Sequence, residues 1–193
     1  MNNILLEEIN DIHDIDEIQN TMALLDSITQ NHSQRVWEIA CGVERYYEHN
    51  NTLLSNAAYV HDIGKIYIPN IILDKPDLLT IDERDIIDHH AYLSYRVLMR
   101  MDIDEKIARI CLYHHGTNKP GYRVIPMWEG DERVFEYASM LEAIDMYEAI
   151  TADRPYRRHK SSKEAIQTML DCKRKQNKKV IDYLKNPKHT DVD

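Results

Sequence analysis

His61 and Asp62 stand side by side in the stretch Tyr59-Val60-His61-Asp62-Ile63-Gly64-Lys65, which sets an imidazole, a carboxylate and an ammonium within two helical turns. Such a trio is the raw material of a metal-phosphate site. Elsewhere in the chain lie His32, His90, the doublet His114-His115, and Asp145. Imidazole and carboxylate donors without paired cysteines suit iron, manganese, zinc or nickel, rather than a thiolate site or a calcium cage. Asp62 can offer one oxygen to each of two metals, so this ligand set, sharing one aspartate, makes a two-metal centre. Two metals about 3.5 to 4 Å apart can clamp a phosphate and hold a hydroxide for in-line attack.

The elements that must position these residues read as helices. A lone histidine on an apolar helix face is most often a satisfied core residue, but here several fall on such faces. His32 continues the stripe Val36, Ile39, Val43 and Tyr46. His90 shares a face with Ile86, Leu93, Val97 and Met101, whereas His89 is rotated roughly 100° away and is expected at the surface. His114 follows Ile107, Ile110 and Cys111, and Asp145 sits between Leu141 and Ala149, where an unpaired carboxylate would be costly. Periodic stripes dominate, no run alternates, and only five glycines and one phenylalanine occur, so the fold class is all-α. Helices are expected over 17–30, 31–50, 52–63, 82–101, 103–115, 132–152, 161–172 and 174–185, with Pro69, Pro76, Pro120, Pro126 and Pro155 between them.

Longer strings carry a family resemblance: His32-Ser33-Gln34-Arg35-Val36, His61-Asp62-Ile63-Gly64-Lys65-Ile66, Ile68-Pro69, Lys75-Pro76 and Arg154-Pro155-Tyr156-Arg157. Over roughly residues 28–170 the chain resembles the HD superfamily of metal-dependent phosphohydrolases, and within it the HD-GYP domains. The resemblance implies an HD-domain helical bundle with the metal site in its core. It further implies one metal on His32, His61, Asp62 and Asp145, and a second on Asp62, His90, His114 and His115. Lys65 resembles the family's phosphate-contacting lysine, an ammonium placed to neutralise a phosphate oxygen. Arg154 fits a phosphate grip through paired hydrogen bonds, or a cation that stabilises a helix C-terminus.

The implied activity is phosphodiester hydrolysis of a cyclic dinucleotide, cyclic di-GMP in particular, with two divalent ions, iron or manganese before nickel or zinc, lowering the pKa of a water that attacks phosphorus. Hydrolysis of another nucleotide or phosphoester, and a non-catalytic nucleotide- or protein-binding module, are the alternatives. The segment after the doublet, His114-His115-Gly116-Thr117-Asn118-Lys119-Pro120-Gly121-Tyr122-Arg123, keeps Gly121-Tyr122 but has Arg123 where the family has proline and Gly116 where it has an acid. That departure bears on substrate and leaves the metal ligands untouched. Ile28, four residues before His32, stands where some family members carry a glutamate for a third metal, so two metals are expected.

Two long connections, 64–81 and 116–131, begin beside the ligands and are expected to border the substrate cleft; the first also offers Ile68, Ile71, Ile72 and Leu73 for packing on the bundle. The second holds Tyr122, Arg123 and Trp128, suited to a nucleobase and a phosphate, although Trp128 also reads as core. The 193 residues suit one domain, 21–193, with an acidic helical segment over 1–20. That segment lacks the basic start of a secretory signal and the unbroken apolar run of a membrane span. Cys41, Cys111 and Cys172, odd in number and far apart, fit reduced thiols and a cytoplasmic setting. A net charge of -9 disfavours general nucleic-acid binding, although residues 154–188 carry twelve lysines and arginines against three acids. The expected partners are a nucleotide-like phosphate compound and a second copy or a signalling protein, with no membrane and no nucleic acid.

Overall fold

A computed structural model describes residues 15–116, 130–152, 159–172 and 176–186, and in these every regular element is a helix. They are α1 (Ile15–Met22), α2 (Ser27–Tyr46), α3 (Leu53–Val60), a 3-10 helix (Ile63–Tyr67), α4 (Asn70–Leu73), α5 (Ile81–Asp88), α6 (His90–Arg100), α7 (Glu105–Tyr113), α8 (Arg133–Thr151), α9 (Ser162–Asp171) and α10 (Lys178–Leu184). The all-α expectation holds. α2, α3, α7 and α8 pack around one another, and α6 lies against α7 and the 3-10 helix. The core between them includes Val36, Val43, Leu54, Ala57, Leu98, Ile110, Leu141 and Ile144.

Local chemistry sets the boundaries. The expected break at residue 30 falls inside α2, and the chain turns earlier because the Asp26 carboxylate accepts the Thr29 N–H at 2.9 Å and the Thr29 hydroxyl at 2.6 Å. α1 runs past residue 20 and places Ile18 and Met22 in the core. Glu44, buried on α2, accepts the N–H groups of Leu54 and Ser55 at 3.0 and 3.1 Å, so one helix caps the start of another. The expected continuous helix over 82–101 is two helices that meet at His89. α5 starts in a capping box of Thr80 and Glu83 and ends at Asp88, and α6 begins at His90. Consequently Ile86 is 41% exposed and does not share the buried face of His90, while His89 is half-buried rather than at the surface. Tyr46, expected to extend the His32 stripe, is 40% exposed because it ends α2.

The connection after Asp62 is ordered by a close approach. A Cβ on Gly64 would lie 2.4 Å from both the His90 carbonyl oxygen and the Ser94 nitrogen, so only a hydrogen side chain lets the 3-10 helix touch α6. The Ser94 hydroxyl accepts the Gly64 N–H at 2.9 Å and donates to the His61 carbonyl at 2.6 Å. Of the apolar residues that follow, Ile68 is buried, Ile72 and Leu73 are half-buried, and Ile71 is 84% exposed, so the expected packing holds for only part of the segment. Cys41 and Cys111 are free, buried thiols. Gly64→Ala should cost about 1 to 3 kcal/mol, because backbone on both sides cannot yield, read as a lower urea midpoint at unchanged slope.

Candidate metal centre

The helix ends converge on Asp62. α2 supplies His32, the turn after α3 supplies His61 and Asp62, the first residue of α6 is His90, and the C-terminal end of α7 leads into His114 and His115. Asp145 and Glu148 come one turn apart from α8. His61 and Asp62 were expected within a helix but lie just past its end. The change of pitch into the 3-10 helix, closed by the Lys65 N–H on the Asp62 carbonyl at 2.9 Å, turns the Asp62 side chain inward.

Potential ligand atoms gather in two groups, His32-His61-Asp62 and His90-His114-His115, each within 4.8 Å of one another. Asp62 stands between them. Its Oδ2 lies 3.4 Å from His61 Nε2 and 3.7 Å from His32 Nε2, while Oδ1 lies 3.4 Å from His90 Nε2. The Nε2 atoms of His90 and His114 are 3.4 Å apart. Asp145 Oδ1 is 3.0 Å from His32 Nε2, at the rim of the first group. His32, His61, Asp62, His90 and His114 are buried, and His115 and Asp145 are partly open.

The far side of each ring is tied down. His61 Nδ1 meets the Ala58 carbonyl at 2.8 Å, His90 Nδ1 that of Ile87 at 2.7 Å, and His114 Nδ1 that of Cys111 at 2.5 Å, each three residues upstream. Carbonyls only accept, so Nδ1 carries the proton and Nε2 keeps its lone pair facing the cluster. His32 is held differently, by Glu148 at Nδ1, and Glu148 also pairs with the Arg35 guanidinium at 2.5 Å. Neither Glu148 nor Arg35 was singled out in the sequence, although Glu148 falls one helical turn beyond Asp145 on the same face. This donor set fits divalent metal, because the Nε2 lone pairs of His90 and His114, both with Nδ1 spent on carbonyls, face each other at 3.4 Å beside the Asp62 carboxylate.

The charges fit the same picture. Burial disfavours a charged Asp62, but Lys65, His61, His90 and His32 outweigh it and hold the carboxyl well below its usual range. Lys65 Nζ sits 2.7 Å from Asp62 Oδ2, so the lysine is a partner of the cluster and not a solvated surface residue. Burial keeps His61 and His114 neutral and lowers His90 to about 4. His32 is the exception: burial lowers its pKa, but hydrogen bonds to Asp145 and Glu148 raise it to about 9. Tyr122, Arg123 and Arg154 lie outside the described residues, as does most of the connection that contains Trp128.

An all-α bundle with histidine and aspartate clusters at its centre defines a metal-binding helical domain. A model of the HD domain family matches residues 15–180, and the chain belongs to that family. A cyclic di-GMP phosphodiesterase of Pseudomonas aeruginosa is 32% identical over 76% of this chain and 36% of its own length. One of Thermotoga maritima is 30% identical over 73% of this chain and 39% of its own length. A 3'3'-cGAMP-specific phosphodiesterase of Vibrio cholerae is 29% identical, over 67% of this chain and 28% of its own length. The chain thus spans 28% to 39% of the length of these curated relatives. In fold it is similar to the HD domain of the Listeria monocytogenes phosphodiesterase PgpH, with a TM-score of 0.62 at 18% identity, covering 88% of this chain and 95% of that domain.

Metal uptake should depend on pH in a defined direction. In the metal-free chain His32 is protonated below about 9, and a ligand nitrogen must first lose that proton, so affinity rises as pH rises toward 9. Glu148→Gln removes a charge that holds the proton in place. Its pH midpoint for manganese binding should move to lower pH, while affinity above pH 9 falls about ten- to hundredfold for want of the partner at Nδ1. Isothermal titration across pH reads both effects. For folding of the metal-free chain, the raised pKa means that the His32 contribution is fully present below 6.5 and is lost as pH rises through about 9.

Proposed function

We propose that the chain is a metal-dependent phosphohydrolase whose site holds two divalent ions and cleaves the phosphodiester of a cyclic dinucleotide, cyclic di-GMP first. One observation carries this reading: the two oxygens of Asp62 face opposite ligand groups, Oδ2 toward His32 and His61 and Oδ1 toward His90. In this reading His32, His61, Asp62 and Asp145 hold one ion and Asp62, His90, His114 and His115 the other. Histidine and carboxylate donors suit iron or manganese, with nickel or zinc also compatible. When bound, the ions would supply a nucleophile at neutral pH and neutralise developing charge on phosphorus.

The protein's own groups have defined tasks. The carbonyls of Ala58, Ile87 and Cys111 and the carboxylate of Glu148 keep each Nε2 aimed inward. Lys65, whose Nζ lies 2.7 Å from Asp62 Oδ2, would present its ammonium to a nonbridging phosphate oxygen. No serine or cysteine nucleophile is required, and the buried Cys111 thiol is pushed far above its usual pKa by burial. Residues 21–193 would form the hydrolase unit, with the acidic segment 1–20 joined to it through α1. Tyr122, Arg123 and Arg154 keep their proposed place as substrate contacts.

The relatives' names favour a cyclic dinucleotide over other phosphoesters, and they include both cyclic di-GMP and 3'3'-cGAMP enzymes. Turnover of a panel of cyclic dinucleotides, linear dinucleotides and mononucleotides, with iron or manganese supplied, tests the reading. Hydrolysis of a cyclic dinucleotide is expected, and Lys65→Met should lower kcat about a hundredfold or more. A fully metallated chain that hydrolyses nothing in the panel would overturn it in favour of a binding module. His61→Ala and Asp62→Ala should each remove bound metal, measured by elemental analysis, and a full complement after either change contradicts the ligand assignment.

A further inference from the structure

Neither α4 nor α5 contains a buried residue, although both carry isoleucines. Ile71 is 84% exposed, Leu78 93% and Ile81 81%, all within one short stretch. Single exposed apolar residues are ordinary, but a run of them marks a surface that another molecule covers. Successive residues of a helix turn by roughly 100°, so Ile81, Asp82, Asp85 and Ile86 share one half of α5, and all four are exposed. That half sets two apolar side chains beside two carboxylates. Among the described residues neither Asp82 nor Asp85 has a basic side chain within ion-pair distance.

α6 offers the complement. On its face away from His90 and Ser94, Tyr92, Arg96 and Arg100 stand four residues apart, and with Tyr67, Leu93 and Val97 they line a pocket of 270 Å³. A pocket below the roughly 300 Å³ at which small-molecule sites begin is sized for an inserted side chain. Arg96 donates to the Tyr92 hydroxyl at 3.0 Å, which props its guanidinium at the pocket's wall. Among the described residues neither Arg96 nor Arg100 has a carboxylate within ion-pair distance, in a chain of 33 acidic residues against 24 basic ones. An apolar floor rimmed by tyrosine and arginine has the composition of the centre of a protein interface.

We propose that α5 and α6 form the interface of a symmetric dimer, in which Ile81 of each copy enters the other's α6 pocket while Asp82 and Asp85 face Arg96 and Arg100. The charge pattern selects a second copy as the occupant. The unanswered carboxylates and the unanswered guanidiniums lie on consecutive helices that meet at His89, so a twofold axis between copies satisfies each set twice, as a self-complementary contact requires. A partner of one sign would answer only one of the two helices. The ligand cluster stays free, because His90 and Ser94 occupy the other face of α6, and the inference holds whether or not the chain is a hydrolase.

Sedimentation equilibrium of the full chain tests this, with the unaltered protein, Arg96→Glu with Arg100→Glu, Asp82→Arg with Asp85→Arg, and an equimolar mixture of the two double variants. The unaltered chain should dimerise reversibly. Each double variant alone sets like charges across both contacts, and its dimer dissociation constant should rise about a hundredfold or more. In the mixture every contact pairs opposite charges again, so association should return to within about tenfold of the unaltered chain, a rescue that misfolding cannot give. Ile81→Asp should weaken the dimer about tenfold or more by losing the inserted side chain. An unaltered chain that stays monomeric up to about 100 µM overturns the dimer and leaves the face to another occupant, residues 1–14 or a different protein. A dimer that survives either charge reversal, or a mixture that stays monomeric, also overturns it.

Discussion

The structure depends on a carboxylate placed where water does not reach. Asp62 is 2% exposed, and an isolated charge so buried would be very costly. It persists because Lys65 and the surrounding imidazoles of His32, His61 and His90 face it from separate elements. Each of those elements must therefore arrive at the centre at a fixed depth. Gly64 permits the close approach of the 3-10 helix to α6, and Ser94 ties the two together, so His61, Asp62 and His90 are set by one local contact.

The arrangement also separates two kinds of histidine. His61, His90 and His114 are oriented by carbonyls of their own helical turn and kept neutral by burial. His32 is oriented by Glu148 and contacts Asp145, both from α8, and those carboxylates hold a proton on it. Three of the imidazoles are thus oriented by local backbone, and that of His32 by a long-range contact between α2 and α8. Arg35 completes that contact by balancing the charge of Glu148.

His32, His114 and Asp145 were legible as candidate ligands because they lie at helical spacing from Val36, Ile110 and Leu141, which are buried, and that periodicity survives whatever the exact helix ends. Their grouping around Asp62 was legible through the order of the motifs. Helix ends were less so: the turn at Asp26 is a side-chain cap, and the restart at His89 leaves α5 with its own exposed apolar residues, which mimic a continued stripe. Glu148 was missed because an acid on a helix reads as solvated until the facing helix is known. The contact of Gly64 with α6 joins residues 30 apart, a relation that no local pattern records.

The central claim is that Asp62 bridges two ions. Anomalous diffraction from crystals of the manganese-loaded chain tests it most directly. The account predicts two peaks, one on each side of the Asp62 carboxylate, about 3.5 to 4 Å apart. A single peak, or a pair in which Asp62 touches only one ion, would contradict it.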